Sequence, residues 1–156
     1  MPYTDLLAAE RIVLVVEPGN RDQVLDAAAR LLGGGSPEWT PAIAAGLRQR
    51  EAVGSTGIGR GVAIPHCRSE ASATPRAAFL RLAHPVDFGA RDGQPVDLVF
   101  AMVSPGERAQ DHLDTLSELA GAFADAGFRD AVRAAPDITA LRGLLLEGGG
   151  AGRRAS

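Results

Sequence analysis

The feature that most restricts the fold is a short, almost continuously apolar segment at residues 96–103 (VDLVFAMV). It is far shorter than the ~20 residues that cross a membrane, but it suits a strand that is largely buried. Two further apolar runs, at residues 12–16 (IVLVV) and 77–82 (AAFLRL), also predict strands. The chain therefore supplies at least three strands for a central sheet.

Helical patterns lie between these strands. Asn20 stands three residues before Gln23, the spacing of a capping box, and predicts a helix to about Leu32 that the glycines at 33–35 end. Serine and proline at 36–37 predict the start of a second helix. Four-residue spacing places three apolar side chains on its buried face. They are Trp39, Ile43 and Leu47.

The last third of the chain is predicted to be helical. A helix is expected from about residue 109 to 125, and Gly127 is expected to break it. Its apolar residues at helical spacing are Leu113, Leu116, Leu119, Ala120 and Phe123. Two shorter helices are expected near residues 128–134 and 137–146. Residues 148–156 are rich in glycine and arginine, and we expect a disordered tail there.

Strands mixed with helices predict an α/β fold, a single-domain sandwich whose central sheet has helices on both faces. The 156 residues are enough for one domain with a real core, and 46% hydrophobic with 22% charged residues is ordinary for a globular protein. We therefore expect one domain over residues 1–147, followed by the tail.

Charge and composition argue against several classes of function. A net charge of −3 gives no support to nucleic-acid binding. One cysteine permits no internal disulfide, and no signal peptide or membrane-spanning run is visible. We expect a cytoplasmic protein that does not insert into the membrane. All 16 basic residues are arginine, which excludes lysine-based chemistry.

A glycine-rich stretch at residues 50–66 (REAVGSTGIGRGVAIPH) carries groups that suit a phosphoryl group. Gly57, Gly59 and Gly61 allow tight turns whose N–H groups can face an anion. They also predict irregular strand or hairpin over residues 58–64. Their spacing is not the G-x-G-x-x-G of dinucleotide sites, and neither a P-loop lysine nor a G-x-S-x-G nucleophile motif is present.

Five residues of this stretch that precede its histidine are predicted to contact phosphate. They are Arg50, Ser55, Thr56, Gly57 and Gly59. The guanidinium of Arg50 is a planar, permanently charged fork for phosphate oxygens; it could equally face the dipole at the end of a helix, and both roles can hold together. Ser55 and Thr56 could donate hydroxyl hydrogen bonds to phosphate or merely stabilise a turn. Gly57 and Gly59 would offer backbone N–H groups.

His66 is the predicted nucleophile. Pro65 fixes φ at about −65° and biases Ile64 toward extended geometry, so the imidazole leaves a strand in a defined direction. An imidazole with a pKa of about 6.5 is largely neutral near pH 7 and can accept a phosphoryl group. Taken alone, a histidine that ends a strand and bonds to a nearby carbonyl would be the simpler interpretation.

The stretch resembles the active-site signature of the enzyme IIA proteins of the bacterial phosphoenolpyruvate-dependent phosphotransferase system, in the fructose/mannitol class. Residues 54–59 (GSTGIG) and 61–66 (GVAIPH) are most similar to the nitrogen-type regulatory branch. Residues 88–103 are similar to the strand region that follows in this family, and residues 112–120 to its second-histidine helix. The resemblance covers residues 4–146.

The resemblance implies a mixed sheet flanked by helices and a phosphohistidine carrier without cofactor or metal. His66 would accept the phosphoryl group from a small phosphocarrier of the HPr type, and Arg50 and His112 would stabilise its charge. His112, near a helix N-terminus, could donate to the phosphoryl oxygens. Without the resemblance, His112 would be interpreted as an exposed helix histidine.

Two outputs are implied by the resemblance. In nitrogen-type regulation, the protein binds regulatory target proteins according to its phosphorylation state. In sugar transport, it passes the phosphoryl group to a permease IIB domain. We favour regulation because residues 54–59 resemble that branch more closely. An alternative of another class is a protein-interaction module whose histidine is never phosphorylated. The sequence identifies neither the target, the oligomeric state nor the ring nitrogen that reacts.

Several residues depart from the family pattern or lack a clear role. Cys67 stands where glycine is the more usual residue, and it could be a tolerated substitution, a redox-sensitive thiol or a metal ligand with His66 and His112. The spacing of these three residues is a weak metal signal, so we predict no metal site. Asp111 adds negative charge beside His112. His84 is interpreted as a surface residue at a strand end.

Overall fold

A six-stranded mixed sheet organises the protein in the computed structural model, which describes residues 3–70, 74–106 and 109–147, with the backbone alone at 109–112. The strands are β1 (Ile12–Val15), β2 (Gly57–Gly59), β3 (Val62–Ala63), β4 (His66–Arg68), β5 (Arg76–Val86) and β6 (Val96–Ser104). Their order is β1-β5-β6-β3-β2, and β4 pairs with β6 beyond β3. Both β3 and β4 run parallel to β6, whereas β5 is antiparallel to it.

Strand β6 is the centre of the sheet and separates two hydrophobic cores. Phe100 and Met102 point into one core, and Val99 and Ala101 point into the other. The side chains alternate because successive residues of a strand face opposite sides of the sheet. The almost continuous apolar run therefore buries both faces of one strand, as predicted.

Helices cover both faces of the sheet. They are α1 (Arg21–Leu32), α2 (Trp39–Val53), α3 (Ala109–Ala124), α4 (Ala126–Ala134) and α5 (Ile138–Leu146), with 3-10 turns at Tyr3–Leu6 and Ala9–Arg11. Apolar residues of α1 and α2 fill one core, and those of α3, α4, α5 and the first 3-10 turn fill the other. The predicted α/β single-domain sandwich, a central mixed sheet with helices on both faces, is confirmed. In the described part of the chain, no helix has the length and apolarity that a membrane crossing needs.

The starts of the first two helices agree with the sequence, with one correction. Both hydrogen bonds of the capping box between Asn20 and Gln23 are present. The Ser36 hydroxyl accepts hydrogen bonds from the N–H groups of Glu38 and Trp39, as a capping serine does, although regular helix begins at Trp39. The buried position predicted for Trp39 is wrong. The residue is 38% exposed, and the centroid of its ring lies 5.8 Å from the guanidinium carbon of Arg76.

Two predictions about the C-terminal helices need correction. Gly127 does not break a helix; it lies inside α4, and its N–H group donates to the side chain of Asp125, which caps that helix. The carboxylate at the N-cap, rather than the glycine, therefore sets the boundary. Along α3, Leu113 and Ala120 are exposed while Leu119 and Phe123 are buried. The predicted tail at residues 148–156 lies outside the described residues.

Candidate active site

His66 is the first residue of the short strand β4, which pairs with the far end of β6. It therefore begins a strand, whereas the sequence suggested that it ends one. The partner of His66 is Met102, and the partner of Cys67 is Val103. Because paired residues share a face of the sheet, His66 faces the side covered by α3, and Cys67 faces the side covered by α2.

The imidazole is oriented by a backbone hydrogen bond. Its Nδ1 atom lies 2.7 Å from the carbonyl oxygen of Ile64. A carbonyl oxygen can only accept a hydrogen bond, so Nδ1 carries the proton in the neutral ring. The lone pair that can attack an electrophile is then on Nε2.

The surroundings of His66 lower its pKa below the ordinary value of 6.5. Burial of the ring is the largest cause, and the positive charges of Arg50 and Arg68 act in the same direction. The hydrogen bond to Ile64 and the negative charge of Glu51 oppose them. The net effect keeps the ring neutral near pH 7, which is the state a nucleophile needs.

An open cleft of about 480 Å³ lies over this histidine, between the last turns of α2 and the first turns of α3. Its charged lining residues in the described part of the chain are Arg50 and Arg68, both positive. Apolar side chains border it: Val53 is 85% exposed and Leu113 is 58% exposed. Two cations within an apolar rim suit a dianionic phosphoryl group carried on another protein.

Arg50 lies in the last turn of α2. Its Nη1 donates a 2.8 Å hydrogen bond to the carbonyl oxygen of Gly54, just beyond the end of the helix. This bond satisfies a carbonyl near the helix terminus and also fixes the guanidinium at the wall of the cleft. The structural interaction and the predicted phosphate contact are therefore compatible.

His112 lies in the first turn of α3. The side chains of His112 and Asp111 are not among those that the structure describes. The next residue, Leu113, and Leu116 one turn later both line the cleft. The backbone of His112 therefore lies beside the cleft. Its predicted role in stabilising phosphoryl charge stays a prediction.

The remaining predicted phosphate-binding residues lie in the segment between α2 and β3. The Ser55 hydroxyl accepts a 3.0 Å hydrogen bond from the N–H group of Gly57, which is the turn-stabilising alternative. Thr56 is buried and bonded to Glu51, and Gly59 sits at a positive φ of 95° near Asp92. None of these residues is among the described lining of the cleft. Their contact with phosphate stays a prediction.

Cys67 is buried against α2, where its Sγ lies 3.9 Å from the carbonyl oxygen of Ile43. Burial raises the pKa of the Cys67 thiol to about 11, so the reactive thiolate is disfavoured. Within the side chains that the structure describes, no group of three potential ligands could hold a metal ion. His84 is exposed on β5, as the sequence suggested.

Sequence reasoning missed Glu51. This residue is only 3% exposed although it carries a carboxyl group. In the sequence it looks like any other acidic residue near the end of a helix, and no spacing rule marks it. Its burial depends on how the chain folds back after α2, which only the tertiary structure shows.

Comparison with known families decides which family the chain belongs to. The family described as "Phosphoenolpyruvate-dependent sugar phosphotransferase system, EIIA 2" matches residues 5–148. The chain belongs to this family. It is therefore a phosphotransferase component, and the resemblance seen in the glycine-rich stretch is confirmed.

The relatives agree with the nitrogen-type branch. The chain is 38% identical to a nitrogen regulatory protein of Pseudomonas aeruginosa over 143 residues, which cover 91% of this chain and 93% of that protein. A nitrogen regulatory protein of Bradyrhizobium diazoefficiens is 36% identical, with 93% and 95% covered. The crystal structure of nitrogen regulatory protein IIA-Ntr from Neisseria meningitidis superposes with a TM-score of 0.83 at 34% identity, covering 91% of this chain and 97% of that one.

Proposed function

We propose that the protein is a phosphohistidine carrier of nitrogen-type regulation, which accepts a phosphoryl group on Nε2 of His66 from an HPr-type phosphocarrier. The observation that carries this proposal is the 2.7 Å hydrogen bond between Nδ1 and the carbonyl oxygen of Ile64. It leaves the reactive lone pair on Nε2, in a ring that adjoins a cleft with two arginines. Within this proposal, the carrier domain spans residues 1–147.

Phosphoryl transfer then proceeds by direct displacement. The Nε2 lone pair attacks phosphorus while the bond from phosphorus to the nitrogen of the donor histidine breaks, and that electron pair stays with the donor. His66 keeps its Nδ1 proton, and the carbonyl of Ile64 stabilises the positive charge on the ring. Arg50 contacts the phosphoryl oxygens, where charge is greatest, and His112 donates a further hydrogen bond.

The residues at the rim of the cleft favour the binding of protein partners. Val53 and Leu113 are exposed apolar residues on the two helices that flank the cleft, and Arg68 adds a positive charge. An apolar patch with basic residues suits a phosphorylated protein surface. The HPr-type carrier docks here first. A regulatory target or a IIB domain then uses the same face.

A reconstituted phosphorylation assay tests the acceptor. The protein is incubated with phosphoenolpyruvate, enzyme I and an HPr-type carrier, and intact-protein mass spectrometry at neutral pH counts phosphoryl groups. We expect one group on the wild type, none on His66→Ala, and one on the control His84→Ala, whose residue is exposed elsewhere on the sheet. Full labelling of His66→Ala would refute the acceptor. An unlabelled wild type would favour the interaction module.

Sugar transport is the second candidate, because the family description itself names a sugar phosphotransferase system. The phosphorylated protein is mixed with a fructose- or mannitol-type IIB domain, and the phosphoryl group on each protein is followed over time. Regulation predicts that the group stays on His66. Rapid transfer to the IIB domain would favour transport.

A further inference from the structure

The buried carboxyl group of Glu51 has a single partner residue among those described. One oxygen accepts a 2.8 Å hydrogen bond from the N–H group of Thr56, and the other accepts a 2.7 Å bond from its hydroxyl. A buried carboxyl group costs free energy unless both oxygens are satisfied. Two donors from one threonine meet that need and also fix the backbone and the side chain of Thr56.

The hydrogen bonds continue from Thr56 to the histidine. The carbonyl oxygen of Thr56 accepts a 3.0 Å bond from the N–H group of Ile64. The carbonyl oxygen of Ile64 in turn accepts the 2.7 Å bond from Nδ1 of His66. Four hydrogen bonds thus connect the carboxyl group of Glu51 in α2 to the imidazole of His66 in β4. We call this series, which runs through Thr56 and Ile64, the relay.

The segment between Thr56 and His66 is also held from the opposite side. Pro65 has no N–H group to offer, but its carbonyl oxygen accepts a 2.9 Å hydrogen bond from the N–H group of Met102 in β6. Residues 64–65 are therefore fixed between Thr56 and the central strand. The carbonyl that orients the imidazole has little freedom to turn away.

We propose that Glu51 is a positioning residue, which acts through Thr56 and Ile64 to hold His66 in the tautomer and orientation that present Nε2 to the phosphoryl group. This role deepens the proposed function and rests on it. It also assigns Thr56 a task other than contact with phosphate, because its hydroxyl proton is already donated to Glu51.

Charge adds to the geometric argument. The carboxyl group of Glu51 favours the protonated form of His66, against the effects of burial, Arg50 and Arg68. When Nε2 accepts the phosphoryl group, the ring becomes positively charged. A buried negative charge at the base of the relay then stabilises the product, in the same sense as a carboxylate behind a catalytic histidine.

Two variants break the relay at different points. Glu51→Gln removes the negative charge and turns one acceptor oxygen into an amide donor, so the bond to the Thr56 hydroxyl has to reverse its direction. Thr56→Val removes the hydroxyl and keeps the N–H bond to Glu51. Thr56→Ser restores the hydroxyl. Asp137→Ala is the matched control, because Asp137 caps α5 through the N–H group of Ala140 and so affects stability alone.

Two measurements follow the imidazole directly. Nitrogen-15 NMR of the unphosphorylated protein, at a pH where the ring is neutral, gives the share of each His66 tautomer. The kinetics of phosphoryl transfer from the HPr-type carrier give kcat and KM. We expect Glu51→Gln and Thr56→Val to increase the share of ring protonated on Nε2 and to lower kcat by about 10- to 100-fold, with KM unchanged. Thr56→Ser should recover most of the rate, and Asp137→Ala should change neither quantity.

The proposal is overturned if both relay variants keep the wild-type tautomer and kcat, or if they change no more than Asp137→Ala. Should Glu51→Gln fail to fold, Thr56→Val decides alone, since it nearly conserves side-chain volume. The tautomer measurement needs no phosphoryl transfer. A wild type that is never phosphorylated would therefore defeat the proposed function, while a changed tautomer in the variants would still support the relay.

Discussion

The imidazole of His66 experiences opposing influences on its charge. Burial and two nearby arginines lower its pKa, while the bond to Ile64 and the charge of Glu51 raise it. The net result is a pKa below the ordinary value. A histidine held in this way is neutral over a wider range of pH than a free one. That property is useful to an acceptor, which must be unprotonated whenever the donor arrives.

The lowered pKa predicts how stability depends on pH. Below about pH 6.5 the unfolded chain takes up a proton at His66 that the folded protein does not yet accept. The free energy of unfolding therefore falls as the pH drops through this value, and the loss levels out below the folded pKa; at higher pH the residue contributes no pH dependence. Urea unfolding of wild type and His66→Gln at about pH 8 and pH 5 measures the effect.

We expect acidification to lower the stability of the wild type more than that of His66→Gln. The result that contradicts this expectation is a wild type that loses less stability than the variant on acidification. Such a result would mean that the folded protein binds the proton more tightly than the unfolded chain.

The position of Arg50 predicts how its replacement changes the rate of phosphoryl transfer. Arg50→Lys keeps a positive charge but loses the planar fork, and Arg50→Ala also removes the bond to Gly54. We expect the rate of phosphoryl acceptance to fall by about 100-fold for Arg50→Ala and by less for Arg50→Lys. Arg48→Ala is the control, because Arg48 lies on the same helix in an exposed pair with Asp26. An Arg50→Ala variant that accepts the group at the wild-type rate would remove Arg50 from the site.

Individual residues were predictable to different degrees. His66 and Arg50 stood out because a glycine-rich run, a proline and a charged fork lie within one short segment. Glu51 did not, because an acidic residue near the end of a helix is usually solvated. Its role depends on a threonine that folds back over it, and hydrogen bonds of this kind leave no periodic pattern in the sequence.

Among the elements, those set by local interactions were predicted best. The first helix begins and ends where its capping box and glycines place it. Strand β4 was missed, since its three residues become a strand only by pairing with β6, far along the chain. The boundary between α3 and α4 was assigned to Gly127 because glycine disfavours helix, but the cap formed by Asp125 decided it.

The contact between α2 and β4 gives a prediction at this scale. A Cβ added to Gly46 would lie 2.9 Å from Sγ of Cys67 and 3.1 Å from its Cβ. Gly46→Ala should therefore destabilise the protein, even though alanine favours helix by up to about 1 kcal/mol over glycine. In a Cys67→Gly background the obstruction is gone, and the same change should stabilise the protein.

Denaturant unfolding of the four proteins in this cycle gives the coupling between Gly46 and Cys67. A sign reversal between the two backgrounds is the expected result. Equal effects of Gly46→Ala in both would show that α2 moves away from β4 freely, and the packing described for this contact would be incorrect.

For the whole molecule, the arrangement of the sheet places the site. Strand β6 pairs with β5 on one side and with both β3 and β4 on the other, and β4, which begins with His66, lies at the cleft between α2 and α3. The class of fold followed from alternating strands and helices. The strand order did not, because parallel pairing joins segments that are distant in sequence and is decided by the packing of both cores.

The central claim is that His66 carries the phosphoryl group on Nε2, with Nδ1 protonated and bonded to Ile64. The most direct test is phosphorus-31 and nitrogen-15 NMR of the protein labelled on its histidine rings and phosphorylated through the HPr-type carrier. We predict coupling of phosphorus to Nε2 of His66 and a protonated Nδ1. Coupling to Nδ1, or a phosphoryl group on a different residue, would contradict the account.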